Sequence, residues 1–141
     1  MANTELKQFI KRRRQGQNVR VGVMYAQIIP DGSGEITLGF SLCSKEDQFC
    51  PVVAEEMAFD RSLAYMDRAP FKPGGKNLIP DSIKTDMAVF IGRAERFFKG
   101  SKLPLWAQQY YSIHKPLVDE FFEKLARKKA AAAAKEDVAN G

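Results

Sequence analysis

Catalytic and metal-binding side chains are scarce in this chain: two cysteines, one histidine and one tryptophan in 141 residues. Cys43 and Cys50 form neither a C-x-x-C pair nor a zinc-ligand spacing, and one histidine cannot complete a zinc set with them. His114 has no nucleophile or carboxylate at a telling distance along the chain, so no triad can be assigned. Walker A, G-x-G-x-x-G and G-x-S-x-G patterns are absent. No apolar run approaches the roughly 18–20 residues of a membrane span, and no apolar leader precedes the first charged residues. The expectation is a binding protein rather than an enzyme, needing no cofactor or metal and having no membrane partner. A cytoplasmic location is expected, with both thiols reduced.

Charge is abundant but uneven. The net charge is +5. Residues 1–20 carry six cations against one acid, residues 21–101 nine against eleven, and residues 102–141 seven against five. The basic character is therefore an N-terminal property with a mildly basic tail, and the body between them is slightly acidic.

Apolar periodicity predicts an α+β fold: an N-terminal helix, one antiparallel β-hairpin, and three to four helices packed over it. Residues 4–15 read as the helix, with Leu6, Phe9 and Ile10 as a short stripe and Gly16 as its stop. Residues 19–29 and 35–43 alternate apolar and small or polar side chains around Pro30–Gly34, a hairpin signal. Pro51 suits the first turn of a helix over 51–68, for which Ser44 or Asp47 is a candidate cap. This helix is apolar on two sides, with Glu56, Asp60 and Asp67 between them, as if it met two partners. A Pro/Gly loop over 69–80 follows, then a strongly amphipathic helix from Asp81 to Lys99. Leu105 to about His114 reads as a further helix, and Pro116 as the start of the last. Residues 1–129 form one domain, and 130–141 an alanine-rich helical tail that frays. A two-stranded sheet leaves open edges, so a homo-oligomer is expected.

Two kinds of anion site are readable. The run Lys11-Arg12-Arg13-Arg14 either complements the negative end of a helix dipole or contacts phosphates of a nucleic acid. The body offers isolated cations suited to a small anion: Arg20, Arg61, Arg93 and Arg96, with Asp47 at the turn into the helix over 51–68. The loop Lys72–Lys76 reads as a surface linker or a phosphate-wrapping turn.

The pattern S-L-C-x-x-x-D-x-F (Ser41–Phe49) and the block Ile91–Lys99 (I-G-R-A-x-R-F-F-K) resemble small phage-encoded proteins of mostly unassigned role, over roughly residues 19–100. In size, basic start and helical remainder the chain is also similar to phage counter-defence sponges of the anti-Thoeris type. That likeness implies a non-enzymatic protein that sequesters an anionic nucleotide against host defence. The candidate ligand residues, Arg20, Asp47, Arg61, Arg93 and Arg96, are read from the chain itself and not from the likeness. The alternatives are nucleic-acid binding through Lys11–Arg14, and an inhibitor docking on a host protein.

Overall fold

The computed structural model describes residues 4–44 and 47–140, with side chains described as far as 135. Three strands come first: β1 (Glu5–Arg14), β2 (Gln17–Ile28) and β3 (Ile36–Leu42). They form an antiparallel meander in the order β1-β2-β3. Three helices follow: α1 (Pro51–Asp67), α2 (Lys84–Phe97, entered through a short 3-10 turn at Asp81–Ile83) and α3 (Leu105–Asn140).

The class is α+β, but the expected N-terminal helix is a strand, and among the described residues the sheet has three strands rather than two and the helices number three. The stripe Leu6, Phe9, Ile10 fits a helical period, yet Leu6 and Ile10 also fall on one face of a strand, and that is how they are used. They pair with Ala26 and Gly22 of β2, and both are buried. Local propensity is a weak prior that long-range pairing overrides. Gly16 ends no helix. Gln15 and Gly16 both have positive φ (52° and 77°) and join Arg14 to its partner Gln17, which is the pattern of a two-residue hairpin turn.

Side-chain alternation divides the sheet between two layers. Leu6, Ile10, Met24, Leu38 and Phe40 pack on Met87, Phe90, Ile91 and Ala94 of α2 and on Trp106, Ala107 and Tyr110 of α3. The opposite face presents Val23 and Tyr25 to Ala54 and Ala58 of α1. Small residues let α1 approach closely. Its buried positions are Ala54, Ala58 and Ser62, and a Cβ on Gly39 would lie 2.5 Å from the Ser62 backbone nitrogen. Ser41 Oγ donates to the Ala54 carbonyl at 2.7 Å, and Gln27 Nε2 donates to Ser62 Oγ at 3.0 Å.

The break expected at Pro116 does not occur; α3 runs through it. A proline there leaves the Ser112 carbonyl without its helical donor. Ser112 and Pro116 are both exposed, so water can satisfy that oxygen. Within the range given for the fraying tail, the helix continues to Asn140, and Gly141 lies outside the described residues.

Candidate nucleic-acid interface

β3 ends its pairing opposite the middle of β2, at Leu42 with Gly22 and at the Cys43 N–H donating to the Val21 carbonyl. The β1–β2 hairpin continues without it. About five further residues per strand carry the turn roughly 17 Å past the end of β3 at strand rise. Residues 11–20 are exposed throughout except Arg12, which is half-buried. This ribbon, KRRRQGQNVR, holds five cations and no acid.

A bulge at its root sorts the charges onto two faces. The register shifts between Ile10 and Lys11, so Ile10 opposes Gly22 while Lys11 opposes Arg20. Lys11, Arg13 and Arg20 therefore share the α1 side, and Arg12 and Arg14 the α2 side. Arg12 is withdrawn from the cluster. Its Nη2 donates to Asp86 Oδ2 at 2.6 Å and to the Ser82 carbonyl at 2.6 Å, and its Nη1 donates to Asp86 Oδ1 at 3.3 Å. The hydrogen bond to Asp86 raises the Arg12 pKa against the cost of burial. Among the described residues, Lys11, Arg13, Arg14 and Arg20 have no ion-pair partner.

Arg20 is positioned by aromatics rather than acids. Its guanidinium lies 4.7 Å from the Phe9 ring centroid and 5.9 Å from that of Phe49, and the two rings meet edge to face at 6.1 Å. Cation–π contact holds the group while leaving its charge unneutralised. Phe49 thus anchors the loop before α1. The ribbon tip carries three exposed amides, Gln15, Gln17 and Asn18.

The five-residue nucleotide set does not converge. Arg61 lies on α1 and donates to the Phe40 carbonyl at 3.0 Å, stacking over the Phe40 ring at 5.7 Å. By strand register that carbonyl points outward from β3, so Arg61 covers part of an open sheet edge. Arg93 lies across the sheet on α2, where it donates to Gln8 Oε1 at 2.5 Å. Arg96, one turn on, is exposed. Asp47 caps no helix: Cys50 is the N-cap of α1 without a side-chain bond, and the Asp47 carboxylate accepts from Ser44 Oγ at 2.8 Å. Asp47 and Phe49 line a cavity of about 440 Å³ at the start of α1, with Arg20 stacked beside Phe49. Of the five, then, Arg20 and Asp47 share one neighbourhood at the start of α1, Arg93 and Arg96 lie a turn apart on α2, and Arg61 joins neither pair.

The linker reading fits Lys72–Lys76 better than the phosphate reading, because its turn is already closed. The Gly75 N–H donates to the Lys72 carbonyl at 2.9 Å, and the Lys72 N–H to Asn77 Oδ1 at 3.3 Å. No group of His, Cys, Asp and Glu among the described residues could hold a metal, and no described helix is long and apolar enough to cross a membrane.

Two aspects of the interface were hidden in the sequence. The Arg12–Asp86 clamp joins residues far apart in the chain, and no local pattern announces it. The ribbon has a local signal, a Gln-Gly pair between alternating segments, which reads equally well as a helix stop. Comparison of the chain with family models, curated proteins and solved structures finds no match.

Proposed function

We propose that the chain binds nucleic acid through the β1–β2 ribbon, without performing chemistry on it. One observation carries this reading: four cations without ion-pair partners among the described residues project on a two-stranded ribbon that has no acid between residues 11 and 20. Phosphate contact requires charge, reach and a fixed register, and the ribbon supplies all three. Duplex DNA is the partner that suits the shape. Its major groove, about 12 Å wide, admits a two-stranded β-ribbon, whereas the deep, narrow groove of A-form RNA does not admit side chains. Arg13, Arg14, Lys11 and Arg20 would contact phosphates. Gln15, Gln17 and Asn18 at the tip would face base edges.

Sequestration of a small nucleotide has less support, since Arg61 and Arg93 are engaged with their own chain on opposite sides of the sheet. Competition band-shift assays separate the readings. Labelled duplex DNA should be displaced by unlabelled duplex DNA far better than by duplex RNA or free mono- and cyclic nucleotides. Equal displacement by a free nucleotide would contradict the ribbon reading.

A further inference from the structure

Two helical surfaces are left uncovered, and they complement each other. The first is the outer side of α1. Its inward positions are the small Ala54, Ala58 and Ser62. Although Phe59 meets Tyr25 and Tyr65 meets Phe40, five other large apolar side chains are left exposed. Val52 (65% exposed), Leu63 (41%) and Met66 (48%) lie on one flank, and Val53 (51%) and Met57 (40%) on the other. Glu56, Asp60 and Asp67 run along the crest between the flanks, all exposed.

The second surface is the distal half of α3. The stripe that is buried at Ala107, Tyr110 and Val118 continues to Phe121, Phe122 and Leu125, which are 36–41% exposed. Every residue from 119 to 135 is exposed. The helix thus extends about 33 Å beyond Val118 at 1.5 Å per residue. A helix with no tertiary packing along this length is marginal in water, alanine content notwithstanding. From 124 to 135 it carries five cations and no acid. Lys124 and Arg127 pair with Glu120 and Glu123 along the helix, but these i,i+4 contacts are exposed and weak.

We propose that the distal α3 of one copy lies across α1 of a second copy, and that the reciprocal contact closes a two-fold dimer. Charge selects this pairing. Stacking α1 on α1 would bring Glu56, Asp60 and Asp67 against the same acids, and α3 on α3 would oppose Arg127, Lys128 and Lys129 to themselves. Only α1 with α3 places an apolar acidic face on an apolar basic one. The ribbon takes no part, so the dimer is independent of the nucleic-acid reading, and each dimer would present two ribbons.

Sedimentation velocity of the full chain tests this. The expected species has twice the 15.9 kDa chain mass. Phe121→Glu with Leu125→Glu should give a monomer that keeps the near-ultraviolet circular dichroism of its buried aromatics, Tyr25, Trp106 and Tyr110, because neither substituted side chain packs in the core. Glu56→Lys with Asp60→Lys should be monomeric alone. It should form a heterodimer when mixed with a chain carrying Lys128→Glu and Lys129→Glu. A wild-type chain that is monomeric at every concentration would overturn the proposal. So would a dimer that persists in both the α3 and α1 variants, or charge-reversed partners that do not reassociate.

Discussion

Arg12 and Asp86 are joined by a two-point ion pair that fastens the root of the β1–β2 ribbon to the start of α2. It divides a run of four basic residues that looks uniform in the sequence. One cation is structural, and its neighbours are free to meet a ligand.

The first prediction is a crossed pair of effects. Arg12→Ala should cost roughly 0.5–1 kcal/mol of stability, as expected of a partly exposed pair, and leave DNA affinity little changed. Arg13→Ala should do the reverse, with a normal urea midpoint and weaker binding. Equal loss of affinity in both variants would contradict the division.

Gly39 is a point of close approach between β3 and α1. An added Cβ would approach the Ala58 carbonyl oxygen and the Ser62 backbone nitrogen, and neither can swing aside as a side-chain end could. Gly39→Ala should therefore destabilise by about 3 kcal/mol through overpacking. Gly34→Ala makes a useful contrast. It meets nothing within 4 Å, so its cost comes only from its positive φ of 72°.

His114 stacks beside Tyr110 and Phe71, at 4.4 and 6.4 Å between ring centroids. Burial, then the nearby Lys84 charge, lowers its pKa below the ordinary 6.5. The unfolded chain therefore takes up a proton before the folded one does. The stability tied to neutral His114 is fully present above pH 6.5 and is lost as pH falls through the lowered folded value. Urea midpoints should drop over this range in the wild type and drop less in His114→Gln. Parallel curves would remove His114 from the account.

The parts of the fold that were legible in the sequence are those where pattern and contact are local. Met87, Phe90, Ile91 and Ala94 recur at helical spacing and are buried on α2 as the spacing requires. The two apolar sides of α1 are visible in its sequence, but the structure does not show them meeting two partners: Ala54, Ala58 and Ser62 face the sheet, and both apolar flanks are exposed about an acidic crest. The misreading of residues 4–15 has a definite cause. Three apolar residues cannot separate a period of 3.6 from a period of 2, and the deciding contacts lie in β2. Pro116 misled because its penalty falls on an exposed turn of α3. Among the candidate ligand residues, type and charge were readable but placement was not. Arg61 and Arg93 look like free cations until the register of β3 and the position of Gln8 are known.

The central claim is that Lys11, Arg13, Arg14 and Arg20 bind phosphates as a cluster on the ribbon. The most direct measurement is the affinity for a short DNA duplex, read by fluorescence anisotropy across a series of salt concentrations. The account predicts a linear fall of log K with log salt, with a slope near −0.9 for each phosphate neutralised. Each substitution among Arg13→Ala, Arg14→Ala and Lys11→Ala should make that slope shallower by about 1, and Arg12→Ala should leave it nearly unchanged. A salt-independent affinity, or a slope that survives the triple substitution, would contradict the claim.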